Sequence, residues 1–318
     1  MNVVLLYGNG LDRALGLETS YSDFLKWTAD IHTREENFTP SAYEFLDIIR
    51  AHKNDGIWSD YECALGLCHY DTMTSCGGFR SFDYATNTVF AVQDLLRSFL
   101  KEKCNKFNEL AITDAVRDAF VAGFYRLCHE NGFEFVDQVH LVTLNYTYSL
   151  ETILCQNMVF HPHGELKHNS PLIFGVDSKR QLKNLNCGEF ARLLYKRGQI
   201  EENTISGENN DDKLMRIIKN ADVLILFGLS FGPSDYRIWK AVSRCSAERG
   251  AKIILCPFND DVVAKFKRGM SQWGLCAKEV DRGQLLLWQQ VSANIITARD
   301  SKKDFLGLNA VKEMLGCN

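Results

Sequence analysis

The residues of this sequence best suited to chemistry are polar side chains that follow its apolar segments. They are Asn9, Asp12, Asn145, His163, Ser230, Asp235 and Asn259. An imidazole accepts a proton near neutral pH, while carboxylates and amides can stabilise positive charge or orient a water molecule. In open α/β sheets, ligands bind at the edge where the carboxyl ends of the strands lie. The sequence therefore predicts one ligand crevice built from these side chains.

The first segment of the chain, VVLLYGNGLD at residues 3–12, has the order expected of a nucleotide-binding domain. An apolar run that stops at glycines is typical of a buried parallel strand, and Gly8 and Gly10 permit a tight turn and close approach of a ligand. A helix from Leu11 would direct its first N–H groups at a phosphate. The third glycine, Gly16, lies too far along for the G-x-G-x-x-G pattern. A plain strand–turn–helix of another α/β fold therefore stays open.

The remaining apolar runs predict the sheet that positions these side chains. Continuous runs predict four strands of one parallel sheet, at residues 3–7, 140–144, 223–227 and 253–256. Weaker runs predict strands near residues 158–160, 173–177 and 284–288. Segments with helical spacing alternate with the strands, which predicts an α/β fold with a doubly wound, mostly parallel sheet. We expect residues 1–318 to form a single domain.

Two segments depart from this alternation. Residues 28–135 have helical periodicity, which predicts a large helical insertion between the first two strands. Within it, the acids of residues 58–62 either face a pocket or begin a helix. Residues 199–213 are polar, acidic and glycine-containing, which predicts a surface loop or lid.

Composition excludes several classes of function. The 318 residues are 46% hydrophobic and carry a formal net charge of −4, without a basic stripe, which disfavours nucleic acid as a partner. No apolar window is long enough to span a membrane, and the N-terminus lacks the basic region of a signal peptide. The 11 cysteines, an odd number without any C-x-x-C pair, fit a reduced, cytoplasmic chain. Without closely paired ligands we expect no metal site.

Several motifs together resemble the AbiH family of bacteriophage abortive-infection proteins. Gly8-Asn9-Gly10-Leu11-Asp12 and Thr19-Ser20-Tyr21-Ser22-Asp23-Phe24 resemble the opening of that family. Its later motifs resemble Thr143-Leu144-Asn145-Tyr146-Thr147, His161-Pro162-His163-Gly164, and Gly228-Leu229-Ser230-Phe231 with Asp235. The family is in turn similar to the Rossmann-like NAD-binding fold of sirtuins. The resemblance implies NAD as substrate or ligand and a role in antiviral defence.

By position, the resemblance also implies roles for individual residues. Gly8 to Gly10 would lie under the NAD phosphates, Asn145 beside the nicotinamide ribose, and His163 would be the catalytic histidine. Ser230, which follows Gly228, and Asn259 would hold the adenosine half. The zinc ribbon of sirtuin deacylases is missing, and Tyr146 replaces the aliphatic residue that follows their asparagine. Deacylation is therefore disfavoured, whereas defence-associated sirtuin-like domains, which also lack the ribbon, resemble NAD hydrolases.

Three hypotheses follow from these residues. The first is an NAD hydrolase in which Asn145 orients water or a ribose hydroxyl, His163 accepts a proton, and Asp12 or Asp235 stabilises positive charge or orients His163. The second is a nucleotide-sensing module without catalysis, which binds NAD or ADP-ribose and signals through a homo-oligomer or a defence partner. The third is an interaction protein with a relict pocket, in which His163 and the asparagines only cap turns.

Overall fold

Six parallel strands form one sheet in the computed structural model. The structure describes residues 1–32, 40–51, 62, 82–108, 113–155, 158–167, 171–177, 181, 193–196, 199, 209–257, 266, 294–298, 306 and 308–315. The strands are β1 (Asn2–Tyr7), β2 (Gln138–Thr143), β3 (Val159–Phe160), β4 (Val223–Phe227), β5 (Lys252–Cys256) and β6 (Ile295–Thr297). Their order is β3-β2-β1-β4-β5-β6, and every neighbouring pair is parallel.

The centre of the sheet consists of the strands with the most continuous apolar sequence. Leu5 of β1 pairs with Leu141 of β2 on one side and with Ile225 of β4 on the other. Residues 3–7 of β1 and all of β4 are buried, as expected for strands covered on both faces. The prediction of four parallel strands in a single sheet is confirmed. The direction of strand order reverses between β1 and β4, which opens a crevice at their carboxyl ends.

Helices cover both faces of the sheet. They are α1 (Gly10–Ala14), α2 (Tyr21–His32), α3 (Pro40–Ala51), α4 (Phe82–Asn108), α5 (Asp114–Glu130), α6 (Ser149–Leu154), α7 (Asn210–Lys219), α8 (Tyr236–Arg249) and α9 (Leu308–Met314). Side chains alternate between the faces of a strand. Val3 and Leu5 therefore share a hydrophobic cluster with α1, α5, α6 and α9, whereas Val4 and Leu6 share another with α7 and α8.

A third hydrophobic cluster lies among α2, α3 and α4. It joins Phe24, Phe45 and Phe99 to Phe174 and Val176, which come from the chain after β3. The described residues between β1 and β2 are helical apart from turns and short connections, in agreement with the predicted helical character of residues 28–135. Residues 58–61 lie outside the described residues, while Glu62 is helical and buried.

Three sequence predictions require correction or lie outside the described residues. Residues 173–177 are not a strand of the sheet, because Phe174 and Val176 pack into the helical cluster and Val176 makes an isolated bridge to Tyr195. Helix α7 begins at Asn210, so the last residues of the predicted 199–213 loop are helical, capped by Asn209, whose side chain accepts from the Asp212 N–H at 2.8 Å. Residues 200–208 and the predicted strand at 284–288 are outside the described part, where the sixth strand is Ile295–Thr297.

The cysteines that the structure describes behave largely as small apolar residues. Cys104, Cys128 and Cys245 are buried free thiols, and the last two lie within hydrophobic clusters on the sheet. Burial raises the pKa of Cys104 to about 12 and that of Cys128 to about 11, so both thiols stay protonated at neutral pH. None of the described helices has the length and apolar character needed to cross a lipid bilayer.

Candidate functional site

A pocket of about 500 Å³ lies at the carboxyl ends of the central strands. Its walls contain the predicted site residues Gly8, Asn9, Gly10, Asp12, Asn145, His163, Gly228, Ser230 and Asp235. The structure thus brings together the predicted residues that follow β1, β2, β3 and β4. Asn259, which was predicted to hold the adenosine half of NAD, lies outside the described residues.

The glycines of the pocket form a backbone contact between two turns. The Gly10 N–H donates to the Gly228 carbonyl at 2.9 Å, and the Gly8 N–H donates to the Phe227 carbonyl at 3.0 Å. A Cβ placed on Gly10 would lie 2.2 Å from the Cα of Gly228, and Gly228 itself has a positive φ of +60°. This contact between the turns accounts for glycine at both positions. A phosphate near this turn stays a prediction.

Asp12 is buried beneath the turn and bound by hydroxyl groups. Thr147 and Ser149 donate to its carboxylate at 2.8 and 2.7 Å, and the Thr19 hydroxyl lies 3.0 Å from Oδ2 and 2.5 Å from Asn9 Oδ1. Burial raises the pKa of Asp12, although these hydroxyl groups lower it in part. Both carboxylate oxygens are therefore engaged in joining α1 to the turn before α2 and to the start of α6. His163 is not among the partners of Asp12 in the described structure.

Asn145 presents an unpaired amide at the pocket. Its backbone N–H donates to Thr143 Oγ1 at 3.0 Å, and its carbonyl oxygen lies 3.1 Å from His161 Nδ1. These contacts fix the backbone of the turn. The side-chain Nδ2 is buried and has no hydrogen-bond partner among the described residues. Because a buried amide N–H is costly without an acceptor, Asn145 is suited to bind a ligand oxygen.

His163 is buried at the pocket in its neutral form. Burial lowers the pKa of His163 well below 6.5, and the positive charge of Lys196 lowers it further, against a hydrogen bond to the Leu144 backbone that raises it. A hydrogen bond that raises the pKa of a histidine is one in which the ring donates to a carbonyl. One ring nitrogen is therefore protonated at neutral pH, and the other keeps its lone pair for a proton.

Lys196 forms a buried ion cluster beside the pocket that the sequence did not reveal. Its Nζ lies 2.7 Å from a carboxylate oxygen of Glu62 and 2.7 Å from one of Asp235. Burial alone would lower the pKa of Lys196, but the carboxylates of Asp235, Glu62 and Asp177 outweigh it and raise that pKa well above 10.5. Burial raises the pKa of Asp177 to about 6. Glu62 and Asp235 both line the pocket. The single positive charge of Lys196 therefore pairs with two carboxylates at the pocket wall.

Glu62 and Lys196 differ in how far the sequence indicates that they belong to the site. Glu62 belongs to the acidic 58–62 stretch, for which a pocket-facing position was one of two interpretations. Lys196 does not follow any described strand of the sheet, so neither periodicity nor a strand end marked it. Helical residues also line the pocket, namely Tyr21 and Ser22 from the start of α2 and Leu96 and Leu100 from α4, together with Ser20 just before α2.

Comparison with known proteins identifies the family. The profile of the family described as "Bacteriophage abortive infection AbiH" matches residues 4–256, which extend from within β1 to the end of β5 and include the pocket residues described above. No curated protein and no solved structure matches the chain significantly. The match covers well over half of the chain and contains the motifs on which the resemblance rested. The chain therefore belongs to the AbiH family of bacteriophage abortive-infection proteins.

Proposed function

We propose that this chain acts in abortive infection by binding NAD in the pocket and hydrolysing its nicotinamide–ribose bond. The family supplies the setting, which is defence against bacteriophage. The observation that carries the chemistry is the presence of two groups in one pocket: the unpaired amide of Asn145 and the neutral imidazole of His163. NAD is proposed as the substrate and not as a recycled cofactor.

The position of the pocket supports a nucleotide ligand. The strand order 3-2-1-4-5-6 is the order of dinucleotide-binding Rossmann sheets, which bind their ligand at the switch between the first and fourth strands. The pocket lies at that switch, and its volume is within the usual range for small-molecule sites. Arg13, an exposed residue of α1 on the pocket wall, adds a guanidinium suited to a pyrophosphate. A Rossmann-like or sirtuin-like fold is part of this proposal.

The proposed reaction uses water as the nucleophile. The C–N bond between ribose and nicotinamide breaks, and nicotinamide leaves with the bonding electron pair as a neutral molecule. Positive charge then develops on the ribose, and the cluster of Lys196 with Glu62 and Asp235 places a net negative charge beside it. Water adds to the anomeric carbon while its proton passes to His163, and ADP-ribose is released. The amide of Asn145 donates to a ribose hydroxyl or orients the water.

The test follows NAD and nicotinamide by chromatography with purified protein, alone and with extract of phage-infected cells. His163→Gln keeps a polar side chain of similar size, and loss of a general base should slow the reaction by about 10²–10⁴-fold. His129→Gln, an exposed histidine on α5, is the matched control and should cleave at the wild-type rate. Equal rates for wild type and His163→Gln would show that His163 is not the base.

The second candidate is a nucleotide sensor that binds NAD or ADP-ribose without cleaving it and signals to a partner or a second copy. The observation in its favour is that Tyr21 of α2 and Leu96 and Leu100 of α4 line the pocket, so a ligand would contact the helical cluster directly. Ligand-dependent melting without any loss of NAD, in the presence of infected-cell extract, selects this candidate over the hydrolase.

A further inference from the structure

We infer that Glu151, His161 and Glu165 form a binding site for a divalent first-row transition-metal ion. Each residue offers a ligand atom, and these atoms lie within 4.8 Å of one another. Glu151 comes from α6, whereas His161 and Glu165 come from the turn that follows β3. The three residues do not line the pocket, so the site is separate from the proposed NAD chemistry.

The hydrogen bonding of His161 is that of a metal ligand. Its Nδ1 lies 3.1 Å from the carbonyl oxygen of Asn145, which can only accept, so Nδ1 carries the proton. The other ring nitrogen, Nε2, is in direct contact with Glu151 Oε1. A metal ion bound to Nε2 and to the Glu151 carboxylate would replace this direct contact. Metal-bound histidines typically donate their other N–H to a carbonyl or carboxylate, as Nδ1 does here.

Glu151 supplies an independent observation. Its side chain is 8% exposed, and its Oε2 has no hydrogen-bond partner within the part of the chain that the structure describes. A buried carboxylate oxygen without a partner is costly and requires an explanation, such as a bound ion. Glu165 is only partly buried and provides a route by which the ion would enter from solvent.

The donor set selects the class of metal. One imidazole nitrogen and two carboxylates differ from the all-oxygen shells of Ca²⁺ and Mg²⁺ and from the thiolate shells of most structural zinc sites. Imidazole with carboxylate suits Zn²⁺ and Mn²⁺, with open positions for water. A divalent ion with two carboxylates and a neutral imidazole also leaves the buried cluster without net charge. Sequence analysis did not reveal this site, because the expectation of no metal rested on the cysteines.

The ion would fix the turns that carry Asn145 and His163. It would join α6 to the turn after β3, and His161 would extend the link to the turn after β2 through the Asn145 carbonyl. The Leu166 N–H already joins these two turns by donating to the Tyr146 carbonyl at 3.0 Å. The three ligands are therefore positioning residues for the pocket, whatever ligand the pocket takes.

The experiment titrates Zn²⁺, Mn²⁺ and Mg²⁺ into the full chain after removal of metal with a chelator. Binding is followed by a competing chromophoric chelator and by the melting temperature. We expect one equivalent of Zn²⁺ or Mn²⁺ to bind and to raise the melting temperature. Substitution of residues that only hydrogen-bond to metal ligands usually weakens metal binding by about 10–100-fold. Glu165→Gln changes a ligand itself, so it should weaken metal binding by at least about tenfold. Glu134→Gln, an exposed acid outside the cluster, should bind as wild type does.

His161→Gln should abolish binding, and the Co²⁺ absorption spectrum of the wild type should change when histidine is lost. Since His161 is buried and its variant can unfold, the partly exposed Glu165 gives the decisive comparison. Failure of wild type to bind a stoichiometric transition metal would overturn the inference. Equal affinity of wild type and Glu165→Gln, or a preference for Mg²⁺, would overturn it as well. None of these readouts depends on NAD.

Discussion

At the scale of single residues, the pocket is set by buried charges and their partners. Lys196 is almost fully buried between Glu62 and Asp235, and both acids face the pocket. Such a pair is costly to desolvate, and it persists only while each charge keeps its partner. The cluster therefore connects the burial of Lys196 to the charge of the pocket wall.

Removing the cation of this cluster should destabilise the fold. Lys196→Met keeps the aliphatic stem but leaves Glu62 and Asp235 as neighbouring buried carboxylates, at a cost of about 3–5 kcal/mol in the free energy of unfolding. Urea denaturation measures the loss, with the exposed Lys101→Met as the control, for which we expect a change within about 0.5 kcal/mol. A loss for Lys196→Met as small as that of the control would show that the ion cluster does not form.

His163 gives the stability a pH dependence of definite sign. Burial lowers the pKa of His163 well below the 6.5 of the unfolded chain. Below pH 6.5 the unfolded chain therefore binds a proton that the folded chain does not, and the folded state loses up to about 1.4 kcal/mol per pH unit. Urea denaturation between about pH 7 and 5 should show a larger loss for wild type than for His163→Gln. The raised pKa values of Asp12 and Asp177 change the stability in the opposite direction, but both residues are present in wild type and in His163→Gln. Equal losses of stability in these two proteins would therefore contradict a buried neutral His163.

The site residues that the sequence predicted share one property. Asn145, His163 and Ser230 each follow an apolar run, and the edge of a parallel sheet brings such positions together without any detailed knowledge of packing. Lys196 has no such relation to a strand, and its contacts depend on how the chain after β3 packs against Glu62. The burial of His163 was also missed, because a histidine beside a glycine looks like a surface turn.

At the scale of elements, the first and fourth strands are joined by their turns as well as by their ladder. Gly10 and Gly228 are in backbone contact, and the Gly10 N–H is donated across this contact. Helix α1 is only five residues long, so the turn and not a long helix shapes this side of the pocket. The glycines are thus required for folding whether or not a phosphate binds.

Gly10→Ala should therefore destabilise the chain in the absence of any ligand. The added Cβ would meet the backbone of Gly228, which cannot rotate away, so we expect a loss of roughly 3 kcal/mol or more in the free energy of unfolding. Gly250→Ala is the control, since that residue has open space around it and only its φ of +73° opposes a side chain, at about 1 kcal/mol. If Gly10→Ala were as stable as wild type, the backbone contact with Gly228 would not require glycine, and close approach of a ligand would account for it instead.

The elements could be predicted where the sequence pattern and the environment agree. Strands β1 and β4 are buried on both faces. Because both faces are covered, every position of such a strand favours an apolar residue, and the continuous apolar sequence predicts the strand. Residues 173–177 are also buried and contain a shorter apolar run, but they pack among helices, and a short apolar run does not distinguish the two environments. In the same way, Asp211 and Asp212 suggested a loop although they form the first turn of α7.

At the scale of the whole molecule, the pocket lies where the sheet meets the helical cluster. Residues after β1, β2 and β4 form one wall, while Tyr21, Leu96 and Leu100 belong to the helices packed over it. A ligand in the pocket would contact both parts of the structure and stabilise their association by mass action. Hydrolase and sensor share this requirement, so the central claim is that the pocket is a nucleotide site.

Equilibrium binding of ADP-ribose, measured by titration calorimetry, tests that claim most directly, because ADP-ribose binds under either function without being consumed. Ser230→Trp is the blocking variant, since Ser230 is an exposed residue on the pocket wall and a larger side chain there disturbs no core packing. Arg244→Trp, an exposed position on α8 outside the pocket, is the control. We expect wild type and Arg244→Trp to bind one equivalent with a Kd between about 1 μM and 1 mM, and Ser230→Trp to bind at least about tenfold more weakly. Absence of binding to wild type, or equal affinity in Ser230→Trp, would contradict a nucleotide site in this pocket.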